Sequence, residues 1–192
     1  MSGLQFRTLD IAAKVRGGDI SATEVTKAVF ADIAQRDERL NCVTRPLTDR
    51  ALAAAAAVDA AVAEGRDPGA LAGVPFGIKD LFDVAGQVTT AGSKVLANDP
   101  PATRDAALVT RLIDAGATPV ALTNMAAFAH GLAPANAHHG VTRPSLSPDH
   151  LSGCTPGWSA VAVAASLFSS SLGSALYTSL QRRVGPAYHA AS

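Results

Sequence analysis

The stretch that decides the fold reads Leu71-Ala72-Gly73-Val74-Pro75-Phe76-Gly77-Ile78-Lys79-Asp80. Its apolar run over residues 74–78 has the composition of a strand that is covered on both faces. Glycine and proline punctuate the start of the run, as they do where a chain turns into a strand. The stretch therefore predicts a buried strand with one lysine directly after it.

Lys79 is the candidate functional group of this stretch. Burial disfavours the charged form of an amine and lowers its pKa, and a neutral amine accepts protons. Lys79 is therefore a candidate general base. The alternative is a surface lysine whose side chain reaches solvent and pairs with Asp80, and the residues alone favour that alternative.

Composition narrows the class of protein. The chain has 192 residues, with 48% hydrophobic and 17% charged residues, which suits one folded domain and argues against disorder. Its 16 basic and 16 acidic residues cancel, and it has no Lys/Arg-rich run. We therefore expect no nucleic-acid binding and no attraction to anionic membranes.

Cysteine usage and hydropathy bear on location. Cys42 and Cys154 form no disulfide framework and suit a reducing cytosol, so the sequence predicts a cytoplasmic protein. Asp10 and Lys14 interrupt the N-terminal segment, which argues against a signal peptide. Residues 160–180 are rich in Ala but include seven Ser, Thr or Gln residues, so we reject a transmembrane span there.

Periodicity and capping signals predict helices that alternate with strands. The predicted helices cover residues 8–15, 21–36, 48–63, 105–115 and 159–168, and the predicted strands cover 40–44, 74–78 and 118–122. A short apolar piece lies at residues 81–84, and residues 129–157 form a long loop of the kind that often carries function. This alternation predicts an α/β domain with a parallel or mixed sheet.

The lysine stretch resembles the lysine motif of the amidase signature family, and further matches follow in the family's order. Thr123-Asn124-Met125 begins a segment similar to the family's TNM-x-E-F-A element, and residues 89–93, 105–117 and 136–143 resemble other family stretches. Residues 136–140 look most like the branch of carboxybiuret and related ureide amidases, alongside the A subunits of glutamyl-tRNA amidotransferases. The resemblance implies the N-terminal portion of the amidase fold, a mixed β-sheet flanked by helices. Residues 1–180 would form a partial amidase domain, with 181–192 as a divergent tail.

The resemblance also implies a set of catalytic residues. Lys79 takes the position of the family's base, Thr155 that of its bridging serine and Ser179 that of its nucleophile. These groups would hydrolyse a small amide or ureide through an acyl-enzyme, without cofactor or metal. The oxyanion hole would be formed by the backbone of Leu176, Tyr177 and Thr178.

Several positions depart from the family pattern. Cys154, Pro156 and Trp158 alter the first loop, and Ala175, Thr178 and Gln181 alter the second. Family domains are more than twice this length, so the resemblance implies a truncated and degenerate copy with weak or no activity. The alternative is an inactive remnant or partner-binding subunit, which would form a homo-oligomer or bind a small partner subunit.

Weaker candidates have simpler explanations. His138 and His139 could bind a metal, but adjacent loop histidines point apart and no third ligand sits at metal spacing. Cys154 could be a nucleophile, although a small residue filling a glycine site is the simpler interpretation. Trp158 and Tyr177 either line a pocket or pack in the core.

Overall fold

The computed structural model describes residues 7–129, 135–142 and 157–173. The helices are α1 Thr8–Gly17, α2 Ala22–Leu40, α3 Thr48–Ala63, α4 Ala107–Asp114 and α5 Gly157–Ala164. The strands are β1 Val43–Pro46, β2 Pro75–Lys79, β3 Thr118–Thr123, β4 Ala135–Asn136, β5 Gly140–Val141 and β6 Ser170–Leu172.

Four strands form a mixed sheet in the order β1-β3-β2-β6. Strand β2 runs parallel to both of its neighbours, β3 and β6, whereas β1 is antiparallel to β3. Every residue of β2 is buried, as its unbroken apolar run predicts. Strands β4 and β5 pair separately as a hairpin. The predicted fold class, a mixed sheet flanked by helices, is confirmed.

The helix boundaries follow local capping chemistry. Ser21 and Glu24 form the predicted capping box at the start of α2, each side chain accepting from the other's backbone N–H. The helix runs to Leu40, beyond the predicted end, and stops where Asn41 adopts a left-handed conformation with φ 53°. The strand predicted to begin at residue 40 therefore begins at Val43.

Two predictions for the C-terminal part need correction. The helix predicted over residues 159–168 ends at Ala164, and Ser166 takes a left-handed turn with φ 55° that leads into β6. The loop predicted over residues 129–157 contains the β4–β5 hairpin in its described part. Both differences involve two- or three-residue strands, whose pairing depends on distant segments.

The two faces of β2 are covered differently. Phe76 and Ile78 pack into a cluster with residues of α1 and α3. Gly77 points the other way, where a Cβ would lie 2.6 Å from the ring of Phe168. Because side chains alternate along a strand, Lys79 shares the face of Gly77, the one that α5 covers.

No helix within residues 7–129, 135–142 and 157–173 is long and apolar enough to cross a bilayer. Part of the Ala-rich stretch weighed from the sequence, residues 174–180, lies outside those ranges.

Candidate active site

Lys79 occupies the carboxyl end of β2, opposite Thr123 of β3 in the sheet register. The residue is 1% exposed. Burial lowers the pKa of its amine to about 8 from an ordinary 10.5. The predicted desolvated lysine is confirmed, and the alternative of a side chain that reaches solvent is wrong.

Asp80 is buried beside it but engages a different residue. Its carboxylate accepts hydrogen bonds from the hydroxyl of Thr90 and from the Thr90 backbone N–H. Burial raises the pKa of this carboxyl, and the two Thr90 hydrogen bonds oppose the rise. The surface-lysine alternative pairs Asp80 with Lys79, whereas in the structure the carboxylate is engaged by Thr90.

Two further hydroxyls lie at the same end of the sheet. Thr123 is fully buried at the end of β3, and its Oγ1 lies 3.5 Å from the Oγ of Ser159 in the first turn of α5. Ser159 also adjoins Gly173, the residue after β6, where a Cβ would lie 3.7 Å from the Ser159 Oγ. Three parallel strands and one helix therefore meet where the strands end, the place at which open α/β sheets bind ligands.

A buried asparagine fixes the loops that surround this end. The Asn136 Nδ2 donates to the carbonyls of Gly92, at 2.7 Å, and Met125, at 2.6 Å. Its Oδ1 accepts from the backbone N–H groups of His138 and His139. Gly92 has φ +69°, and a Cβ there would lie 2.8 Å from the Met125 carbonyl oxygen, so the close approach requires glycine. One side chain thus ties three segments together.

The other predicted catalytic groups cannot be located in the same way. Thr155, Ser179 and the backbone positions Leu176, Tyr177 and Thr178 lie outside the described residues, as does Cys154. His138 is exposed and His139 half-buried. Within the described residues, no group of three or more His, Cys, Asp or Glu side chains could hold a metal ion.

The sequence interpretation missed three residues of this region. Thr123 opens the TNM motif and Ser159 directly follows the altered first loop at Trp158, so both were visible as positions in or next to family motifs but had no assigned role. Asn136 opens the stretch that resembles the carboxybiuret branch. A signal for Thr123 was available, since a polar residue that ends a buried strand lies at the carboxyl end of the sheet.

Comparison with known proteins identifies the family. The amidase family model matches residues 24–177. The A subunit of glutamyl-tRNA(Gln) amidotransferase from Lachnospira eligens is 41% identical over 91% of this chain and 36% of its own length. AtzE, the 1-carboxybiuret hydrolase subunit of Pseudomonas sp. (strain ADP), is 39% identical over 88% of this chain and 37% of its own length. The chain thus spans little more than a third of these relatives.

Solved structures agree with the sequence relatives. A chain of a vestigial protein complex, described in relation to the evolutionary origins of an s-triazine catabolic enzyme, superposes with a TM-score of 0.83 at 37% identity, covering 85% of this chain and 36% of that one. Peptide amidase from Stenotrophomonas maltophilia gives a TM-score of 0.80 at 34% identity, covering 88% of this chain and 36% of the amidase. The resemblance inferred from the lysine and TNM motifs is confirmed: the chain belongs to the amidase signature family.

Proposed function

We propose that this chain carries the catalytic lysine of a hydrolase that cleaves carbon–nitrogen bonds in small amides or ureides. The observation that carries the proposal is Lys79, fully buried at the carboxyl end of β2 with its pKa lowered to about 8. A lysine of ordinary pKa is charged at neutral pH and accepts no proton. One lowered to about 8 is neutral often enough to act as a base.

The mechanism uses two hydroxyls in series. Neutral Lys79 accepts a proton from the Thr155 hydroxyl, which in turn accepts the proton of Ser179. The Ser179 oxygen attacks the carbonyl carbon, and the backbone N–H groups of residues 176–178 stabilise the oxyanion. The C–N bond then breaks as the nitrogen takes up the transferred proton, and water hydrolyses the acyl-serine ester.

Chain connectivity supports bringing these groups together. Thr155 lies two positions before Gly157, where α5 begins, and Ser179 lies six positions after Gly173. Gly157 and Gly173 are therefore the described residues from which the chain runs to these two groups. Both anchor points belong to the segments that meet beside Lys79.

The altered loops should make this activity low. Thr155 adds a methyl group to the relay position, and an error near 1 Å costs about 10²-fold in rate. Thr178 replaces a glycine of the oxyanion hole, and one lost donor typically costs about 10²–10³. We therefore expect hydrolysis at or near background for this chain alone.

A second candidate is a subunit that binds a partner and performs no catalysis. Both relatives described above are named as subunits, one of an amidotransferase and one of a hydrolase. The loop substitutions favour the same interpretation. The partner would be a small subunit or a second copy of this chain. Cysteine usage is typical of a reducing compartment, so we propose the cytoplasm as its location.

Covalent labelling distinguishes the two candidates. The purified chain is treated with a fluorophosphonate, which phosphonylates activated serines, and the modified residue is found by mass spectrometry. We expect slow labelling at Ser179 that disappears in Ser179→Ala and falls about 100-fold in Lys79→Met, while Ser170→Ala behaves as the unmodified chain. No labelling of Ser179 would favour the non-catalytic subunit.

Hydrolysis of simple amides and biuret-like ureides is assayed on the same proteins. Robust hydrolysis that is lost in Ser179→Ala would show that the altered loops are tolerated. Robust hydrolysis that survives in Ser179→Ala would show that another residue is the nucleophile.

A further inference from the structure

The order of the strands defines what lies on either side of Lys79. Strand β2 sits between β3 and β6. Lys79 pairs with Thr123 on one side, and because Ile78 pairs with Leu172, the next residue, Gly173, lies beside Lys79 on the other. Neighbouring strands are about 4.8 Å apart, so Thr123 and Gly173 are about 10 Å apart with the end of β2 between them.

Ser159 lies next to both of these flanking residues. Its Oγ lies 3.5 Å from the Oγ1 of Thr123 and 3.7 Å from the position of a Cβ on Gly173. A single oxygen can meet both conditions only if it lies over the end of the strand between them. Ser159 belongs to α5, the helix that covers the face to which Lys79 points. The Ser159 hydroxyl therefore lies over Lys79, on the face of the sheet from which the lysine side chain projects.

We propose that Ser159 is a positioning residue for Lys79: its buried hydroxyl, held between Thr123 and Gly173 over the end of β2, fixes where the lysine amine lies. The proposal rests on the proposed function only in giving Lys79 the role of base. It assigns a place to a serine that stands four positions beyond the predicted relay, Thr155.

The chemistry of a hydroxyl suits this position. It donates one hydrogen bond and accepts two, so it can serve Thr123 and still offer a lone pair or a proton to a neighbouring amine. A lysine has four rotatable bonds, and a fixed polar contact above its stem restricts the positions that the amine can adopt. The neighbouring Asp80 carboxylate accepts hydrogen bonds from Thr90.

The restraint has a consequence for the titration of Lys79. A hydroxyl oxygen can accept a hydrogen bond from the ammonium form of an amine and thereby stabilise that form in a buried site. Removing the Ser159 hydroxyl takes away a contact that offsets the desolvation of the charged amine, so the pKa of Lys79 should fall further. Removing a hydroxyl elsewhere on the sheet should leave the titration of Lys79 unchanged.

The chain has four lysines, Lys14, Lys27, Lys79 and Lys94, which makes a direct titration practicable. The protein is labelled with ¹³C-lysine, and the Cε resonances are followed by NMR. The pH range runs from about 6.5 to 10.5, so that it covers both the lowered and the ordinary lysine pKa. The Lys79→Met variant assigns the Lys79 signal. Ser159→Ala and Ser159→Cys both remove the hydroxyl, and Cys preserves the volume if Ala fails to fold. Ser159→Thr retains the hydroxyl. Ser170→Ala removes one that binds the Pro75 carbonyl at the opposite end of β2.

We expect the pKa of Lys79 to fall by about half a unit or more in Ser159→Ala and Ser159→Cys, and to stay within about 0.2 unit in the other two variants. An unchanged Lys79 titration in the two hydroxyl-free variants would overturn the proposal. So would an equal shift in Ser170→Ala, which would indicate general loosening of the sheet.

The titration requires no turnover, so it separates this inference from the proposed function. A shifted Lys79 pKa without any labelling of Ser179 would support the positioning role and contradict the hydrolase. If Ser179 is labelled at the same rate in the Ser159 variants and the pKa of Lys79 is unshifted, the hydrolase is supported and the positioning role is contradicted.

Discussion

The hydroxyl of Thr90 donates a hydrogen bond to the carboxylate of Asp80, ten positions away in the loop that follows β2. This contact occupies the acid that stands next to Lys79 in the sequence. It also explains how two oppositely charged neighbours can both be buried and yet act separately: consecutive residues at a strand end point to opposite faces. Burial lowers the pKa of the lysine.

Replacing Thr90 with valine should destabilise the protein at neutral pH. A hydrogen bond to a charged group contributes about 1.5–3 kcal/mol, and valine has the shape of threonine without its donor. Thr90→Ser, which keeps the hydroxyl, should stay close to the unmodified chain. Urea denaturation measures the difference.

The loss in Thr90→Val should shrink at acid pH. The pKa of Asp80 is raised in the folded state, so the folded protein binds more protons than the unfolded chain just above the ordinary value of 3.8, and stability falls as pH rises through that window. Removing the Thr90 donor raises the pKa of Asp80 further, so stability falls with rising pH over a wider range. A loss of equal size at every pH would show that the effect is one of packing.

Replacing Lys79 with methionine should make stability less dependent on pH above 8. The pKa of Lys79 is about 8 when folded and 10.5 ordinarily, so between these values the unfolded chain binds more protons and stability rises with pH. The shift corresponds to a burial cost on the order of 3 kcal/mol below pH 8. The advantage of Lys79→Met over the unmodified chain should therefore narrow from pH 8 to 10. A constant difference by urea denaturation would contradict the lowered pKa.

Replacing Asn136 with aspartate should weaken the loop assembly without changing side-chain size. The two carbonyls of Gly92 and Met125 would then face a carboxylate instead of an amide donor. Each buried group left unpaired costs about 1–3 kcal/mol, so we expect a total loss above about 2 kcal/mol. Thermal unfolding measures it, and faster hydrogen exchange at His138 and His139 would locate it. An unchanged unfolding temperature would mean that the Asn136 hydrogen bonds do not stabilise these loops.

Replacing Gly77 with alanine should strain the packing of the turn that connects α5 to β6. The added Cβ would lie 2.6 Å from the Phe168 ring and 3.0 Å from Cγ2 of Thr123. Overpacking of this kind costs about 1–3 kcal/mol. Phe168→Leu in the same chain should recover part of the loss, which a double-mutant cycle detects. Gly17→Ala, whose Cβ would have only Asp19 within 4 Å, is the matched control and should be near neutral.

Local signals in the sequence predict some elements well. Helix α3 follows its predicted bounds, and the Ser21–Glu24 capping box starts α2, because both depend on neighbouring residues. The burial of strand β2 follows from its apolar run, whereas the residues alone favour an exposed Lys79 over the buried one that the structure shows. The relation between Ser159 and Lys79 could not be predicted in this way. It depends on β6 pairing with β2 across more than ninety positions, and a three-residue strand has no periodic pattern that specifies its partner.

The order in which the sheet is assembled has a consequence for synthesis on the ribosome. Strand β2 leaves the ribosome before either of its partners, and β6 follows it only after Ser170 has been made. At about 5–20 residues per second, one side of the lysine strand waits roughly 5–20 s for β6. Thr8 is synthesised even earlier than β2, so its hydrogen bond to the carbonyl of Ser169 forms after a still longer interval. The nascent chain therefore exposes an unpaired apolar strand for seconds, which makes it a natural client for chaperones that bind such segments.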